Sequence, residues 1–306
     1  HLIRLFTNLF FFQVLSDRNV SPAANTLGLA VIAVPAIGGL IIGLMARYGS
    51  EKIRGHGIPE AIEAILIGGS RMSPKVAVLK PLSSAISIGT GGPFGAEGPI
   101  IMTGGAIGSL FAQFFHMSAA ERKTLLVAGA AAGMTAIFGS PIAAVMLAVE
   151  LLLFEWKPRS FIPVAVAACV SICWRPLLFG TGPLFPTHFQ PDLPWWGIFA
   201  CAAMGIISGL QSGLLTTLLY RIEDLFEALP IHWMWWPMLG AVVVGVIGLI
   251  DQRTLGVGYV NIENIIGAKI AGRAVAVLVI LKFISWSIYL GSGTSGGTLA
   301  PLFTIG

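Results

Sequence analysis

The sequence predicts an all-α, polytopic membrane protein, and three observations carry that expectation. Of its 306 residues 56% are hydrophobic and 10% charged, against roughly a quarter charged in an average soluble domain. Long apolar runs follow one another along the chain without the alternation of a β-barrel. The 38 glycines and 18 prolines suit short, closely packed and interrupted helices, because glycine lets helices approach and both residues break them.

Taken in order, the apolar runs place helices at Ala23 to Arg47, Pro59 to Ile67, Pro74 to Ile88, Pro99 to Phe115, Ala119 to Phe138 and Pro141 to Leu153. Further helices are expected at Phe161 to Leu178, Trp195 to Phe226, Trp235 to Ile250, Asn261 to Ile266 and Arg273 to Leu290, with a last one beginning near Leu299. A simple span needs about 20 apolar residues, and several of these runs fall well short of it. Such helices tilt strongly or stop inside the protein, where only protein or a water-filled cavity satisfies their ends. Short, Gly/Pro-interrupted helices therefore point to a central binding site. Trp195, Trp196, Trp233, Trp235 and Trp236 stand at the edges of long runs and read as interface belts.

The net charge is +4, and the 18 Lys and Arg gather between apolar runs, as in Arg47 to Arg54, Arg71 to Lys80 and Lys157 to Arg175. No basic run is joined to a nucleic-acid reading motif, so nucleic acid is excluded as a partner. Cys169, Cys173 and Cys201 lie in or beside apolar stretches and indicate neither a disulfide framework nor a thiolate metal site. Cys169 and Cys173 share one helix face and read as packing. His1, His56, His116, His188 and His232 show no ligand spacing, so neither a metal nor a cofactor is expected. An apolar run follows His1 without a basic n-region or cleavage site, so no signal peptide is expected. Pro301 to Gly306 stop inside an apolar segment, and the expectation is of one membrane domain incomplete at both ends.

Three glycine-rich breaks precede helices: Gly55-His56-Gly57-Ile58-Pro59, Gly89 to Pro99, and Gly291 to Pro301. Proline near a helix start costs nothing, since its missing N–H would be unpaired there. Each break leaves little side-chain bulk over a helix N-terminus, and such ends attract anions through unpaired N–H groups and the positive dipole end. Three of them converging at mid-membrane replace much of an anion's water shell without a full charge, so the ion binds and still leaves.

Glu97 is the sharpest single residue. A carboxylate between Ala96 and Gly98 in an apolar setting is a functional candidate by default, and beside an anion site it occupies that site as a tethered anion and leaves when protonated. The bland alternative is a helix-cap carboxylate. Lys80 and Lys282 either neutralise part of an ion path or snorkel to the interface. Glu150 is a proton relay or a helix-surface contact, and His56 titrates as a gate or bonds a carbonyl, the carbonyl bond being favoured. An enzyme would need a second polar group within reach of Glu97, such as a metal-binding histidine pair or an activated serine, and the five histidines show no ligand-like spacing.

Together the breaks resemble the CLC family of chloride channels and proton-coupled chloride antiporters, from near residue 20 to the end. Gly55-His56-Gly57-Ile58-Pro59 is similar to the family's G-S-G-I-P, Gly95-Ala96-Glu97-Gly98-Pro99 to its G-(R/K)-E-G-P, and Gly296-Gly297-Thr298-Leu299-Ala300-Pro301 to its G-G-I-F-x-P. The resemblance implies two inverted-topology halves, about 1–178 and about 190–306, the second partial, with many tilted and discontinuous helices. It implies a homodimer with one chloride path per subunit in a cell membrane, and leaves room for a cytoplasmic regulatory domain beyond the chain. Glu97 would be the gating glutamate. Gly55, His56, Gly57, Ile58, Gly95, Ala96, Gly98, Gly297, Thr298 and Leu299 would line the anion site. Lys80, in the preceding helix, and Glu150 would serve the field or a proton path.

Four departures from the family pattern bear on function. His56 stands for the usual serine and Ala96 for a basic residue, while Thr298 and Leu299 replace Ile and Phe. Glu150-Leu151 stands where antiporters often carry Glu-Glu. That pair favours passive chloride conduction over exchange with protons; exchange, or another small anion such as nitrate or fluoride, is the alternative. The fluoride branch usually carries methionine at the position of His56, which counts against fluoride.

Overall fold

The computed structural model describes residues 1–180, 182, 185 and 194–306. His188 and most of the expected junction between 178 and 190 lie outside the described residues. Those residues form thirteen α-helices: α1 (Leu2–Phe12), α2 (Ala33–Tyr48), α3 (Ile58–Leu66), α4 (Pro74–Gly89), α5 (Glu97–Phe114), α6 (Ala119–Phe138), α7 (Pro141–Ala148), α8 (Pro158–Phe179), α9 (Gly197–Glu227), α10 (Trp236–Ile250), α11 (Tyr259–Ile266), α12 (Arg273–Gly291) and α13 (Leu299–Ile305).

Local chemistry sets many of these boundaries. Pro74, Pro141 and Pro158 sit in the first turns of α4, α7 and α8. Ser118 caps α6 reciprocally with Glu121, the paired arrangement that satisfies two free helix-end donors at once. The helix expected from Ala23 begins ten residues later, at Ala33, after 3₁₀ turns at Pro22–Ala24 and Gly28–Ile32. The cause is turn chemistry, since Asn25 bonds the Pro22 carbonyl and the Leu27 N–H and so competes with the helix. α1 was not anticipated; it buries Thr7, Asn8 and Phe11 and packs on α4. α7 runs on into a π turn, Val149–Leu153.

Five helical segments, Gly28–Tyr48, Pro158–Leu178, Gly197–Glu227, Trp233–Ile250 and Arg273–Gly291, are long and apolar enough to cross a bilayer. The protein is an integral, multi-pass membrane protein. By contrast α3, α11 and α13 have 9, 8 and 7 residues, about 10–14 Å at 1.5 Å per residue, less than half the hydrocarbon thickness. Large apolar residues along α8 and α9, among them Val166, Val170, Trp174, Ile206 and Leu210, are exposed, as lipid-facing surface is. Cys169, Cys173 and Cys201 are exposed as well, which corrects the packing role expected of Cys169 and Cys173 within this chain.

Two apolar cores flank the centre. One joins α3 and α5 to α8 around Met102, Leu126, Met134 and Leu152; the other joins α1, α2, α10 and α12 around Phe11, Phe94, Trp286 and Tyr289. α5 and α6 touch backbone to backbone: a Cβ on Gly129 would fall on the Gly104 carbonyl oxygen, and one on Gly104 on that of Gly129.

The architecture repeats. α2, a 3₁₀ turn at Glu51–Ile53, α3, α4, a glycine break and α5 recur as α10, a 3₁₀ turn at Gln252–Thr254, α11, α12, a glycine break and α13. The run Lys80 to Pro99 returns as Lys282 to Pro301, matching Lys80 with Lys282, Ser83 with Ser285, Gly89 with Gly291, Gly95 with Gly297 and Pro99 with Pro301. The matched Gly95 and Gly297 exchange both backbone hydrogen bonds at 2.9 Å in an antiparallel bridge. A pair that donates and accepts symmetrically has a local two-fold axis between its members.

Candidate functional site

The three glycine breaks meet at that axis. Gly55 donates its N–H to the Thr294 carbonyl at 2.9 Å and forms a parallel bridge with Ser295, while Gly95 pairs with Gly297. Only glycine allows this approach: a Cβ on Gly297 would stand 2.5 Å from the Gly95 oxygen and 3.0 Å from the Gly98 nitrogen, and one on Gly98 would overlap the His56 oxygen. The N-terminal turns of α3, α5 and α13 therefore share one small region, and first-turn N–H groups have no intrahelical partner.

Glu97, in the first turn of α5, is 1% exposed. Its side chain folds back over Gly95, where any Cβ would collide with it. Oε1 accepts a 2.6 Å hydrogen bond from the Tyr259 hydroxyl. The carboxylate also faces the backbone N–H groups of Glu97 itself and of Ala300, at the start of α13, while Oε2 closes no hydrogen bond of normal geometry. A carboxylate thus rests at the helix end that the sequence assigned to an anion.

The region is held from behind by two buried lysines. Lys80 Nζ donates to the carbonyls of Ile53, Arg54 and Gly55 at 2.8, 3.3 and 2.8 Å. Its counterpart Lys282 donates to those of Thr254 and Gly256 at 2.9 and 2.7 Å. Both are fully buried, so neither snorkels. Each ties the backbone in front of a short helix to a long one and covers carbonyl oxygens that would otherwise repel an anion.

Other expected residues are placed differently. The Gly57 N–H is taken by Glu60 Oε2 at 2.7 Å, so break one offers fewer free donors than its glycines suggested. The carbonyl bond favoured for His56 is not formed by Nδ1, which is buried without a partner. His56 lines a cavity of about 740 Å³ together with Arg54, Glu60, Glu63, Arg71 and Glu223. Ile58, Ala96, Thr298 and Leu299 are half-buried at the three helix starts. Glu150 is exposed in the π turn, apart from the breaks. Trp233 and Trp236 hold the Arg54 guanidinium at 4.8 and 5.8 Å from their ring centres, whereas Trp195, Trp196 and Trp235 are exposed, as belt residues are.

Tyr259 was missed in the sequence. It opens α11 behind Gly256-Val257-Gly258, a fourth glycine break that the internal repeat pairs with the first, and that repeat was the signal available. Among the described residues no three His, Cys, Asp or Glu side chains converge as metal ligands.

Comparison with known proteins bears on the family and the fold. Residues 38–306 match the family described as voltage gated chloride channel. A ClcB-like chloride channel protein of Ralstonia nicotianae is 26% identical over 281 residues, covering 90% of this chain and 66% of the relative. The voltage-gated ClC-type chloride channel ClcB of Salmonella typhimurium is 27% identical over 279 residues, again covering 66% of the relative, so the chain spans about two thirds of the length of these proteins. Among solved structures, a slow cyanobacterial Cl⁻/H⁺ antiporter superposes with a TM-score of 0.81 at 21% identity, over 90% of this chain and 66% of that one. A CLC-type fluoride/proton antiporter superposes with a TM-score of 0.78 at 18% identity, over 100% and 75%. These two share the fold.

Proposed function

The chain belongs to the voltage gated chloride channel family, whose pattern covers residues 38–306, and from that premise we propose that it carries chloride across a membrane along a path that Glu97 opens and closes. The observation that supports this most is the seat of Glu97: a buried carboxylate, held by Tyr259, at the start of α13 where three glycine breaks meet. A carboxylate and a halide make the same demands of such a place, N–H donors and a positive helix end. While Glu97 is seated it blocks the anion; when it leaves, the anion takes its place. No covalent chemistry is involved, and the protein is a transporter rather than an enzyme.

The inner approach runs from the cavity that His56 helps to line to the first turns of α3, α5 and α13. Lys80 and Lys282 brace the backbone behind the path without standing in it. Residues about 1–178 and about 190–306 act as two halves of opposite direction, a reading supported by the mutual Gly95–Gly297 pair. Two copies associate in the cell membrane, each with its own path.

Passive conduction is favoured by Leu151 beside Glu150, where a second carboxylate would pass protons inward. Chloride efflux from liposomes, with internal pH recorded and no imposed proton gradient, decides between conduction and exchange. Fast efflux without linked proton movement supports the channel, and uphill proton movement makes the protein an exchanger. In the same assay Glu97→Gln should give faster, pH-independent flux, and unchanged flux would remove Glu97 from the path.

A further inference from the structure

Two carboxylates take the same pose where the glycine breaks meet. Glu97 folds back over Gly95, and Glu60, in the first turn of α3, folds back over Gly55. A Cβ added to either glycine would collide with the carboxylate of its glutamate. The two glycines are bridged to the same break, Gly55 to Ser295 and Gly95 to Gly297. Glu60 also takes a donor, since its Oε2 accepts the Gly57 N–H at 2.7 Å.

A helix cap is the ordinary reading of a glutamate at this position. At α6 the capping pair is complete, because Ser118 bonds the Glu121 N–H in return. Gly57 has no side chain with which to do so, and α3 has no side-chain cap at its start. Between the two glycines that Glu60 covers, His56 Nδ1 is buried without a partner, so the break stays short of partners with Glu60 in place. The surroundings of the two glutamates differ in one respect. Glu97 is buried, whereas Glu60 is half-buried and lines the 740 Å³ cavity beside His56. A side chain that leaves Gly57 has open space to enter.

We propose that Glu60 is a second tethered anion, a gate at the cavity end of the path; this rests on the reading of Glu97 as the first. The ligand it excludes is a small monovalent anion, because N–H donors at a positive helix end suit a carboxylate and a halide alike. While seated, Glu60 occupies the Gly57 donor and holds a negative charge over Gly55, so an anion arriving from the cavity meets a used donor and a like charge. Once the side chain swings into the cavity, the helix end is open. Chloride entering from that side must displace Glu60, and the chloride concentration there sets how often the gate is open.

Glu60→Gln separates a gate from a cap, because an amide oxygen still accepts the Gly57 N–H while the charge is gone. The full protein is measured in a planar bilayer, with chloride raised in one chamber at a time. A charge-assisted hydrogen bond is about twice as strong as a neutral one, so the half-saturating chloride concentration should fall roughly tenfold on one side and hold on the other. The same one-sided shift should appear in the Glu97→Gln background, where the first gate is already open. Half-saturation equal to the parent's on both sides makes Glu60 a cap and overturns the proposal, as does an equal shift on both sides or a shift lost in the Glu97→Gln background. Should Glu60→Gln not fold, Glu60→Asp, one methylene too short to keep the seat, carries the same comparison. Absence of chloride current from the parent protein would instead remove the functional reading beneath it.

Discussion

Tyr259→Phe removes one hydroxyl and keeps the ring, and it acts on a single bond, the 2.6 Å contact with Glu97 Oε1. Its length is that of a charge-assisted O–H···O⁻ bond, and a hydrogen bond to a charged group contributes about 1.5–3 kcal/mol. Tenfold in an equilibrium corresponds to about 1.4 kcal/mol. Losing the bond therefore moves the balance between seated and departed Glu97 by roughly 10- to 100-fold toward departure. Flux follows until the path is open most of the time, so chloride efflux from liposomes should rise several-fold, capped at the rate of Glu97→Gln. In the Glu97→Gln background the same change should add nothing, because no carboxylate remains to be held. Equal or slower efflux from a properly folded Tyr259→Phe protein would refute the reasoning, as would an equal gain in both backgrounds.

Three further outcomes are expected. Gly129→Val puts a branched side chain against the Gly104 carbonyl and should destabilise the protein by about 1–3 kcal/mol, as overpacking does, seen as a lower melting temperature in detergent. Glu60→Ala frees the Gly57 N–H and removes a negative charge beside break one, so chloride should bind about tenfold more tightly by calorimetry, on the scale of one hydrogen bond to a charge. The Ser118 bonds to Glu121 hold that carboxyl below its usual range; a lowered folded value gives stability that is present above the unfolded value of about 4.3 and is lost as pH falls through the folded one. Ser118→Ala should thus cost stability at pH 6, and the gap to the parent protein should narrow below pH 4 in a thermal melt.

How much of this was legible depended on how local each cause was. Helix existence followed from apolar runs, and starts such as Pro74 and Pro141 followed from proline, because both are properties of neighbouring residues. The late start of α2 was not, since Asn25 decides it by bonding Pro22 rather than by polarity. The three breaks announced themselves through their glycines, but which N–H groups stay free depends on distant partners: Thr294 takes that of Gly55 and Gly297 that of Gly95, while Glu60 takes that of Gly57 from within the next turn. Lys80 and Lys282 looked ambiguous singly, and their common role emerges only once α4 and α12 are seen as copies. Tyr259 reaches Glu97 across 162 positions of chain, a contact no local pattern encodes.

The claim at the centre of this account is that the Glu97 carboxylate occupies a place that belongs to an anion. Crystals of Glu97→Gln grown in bromide test it most directly through anomalous scattering. The account predicts a bromide peak where the carboxylate lies over Gly95, beside the Ala300 N–H, with the substituted amide side chain displaced from that seat. An amide that keeps the seat, with no bromide there, would contradict it.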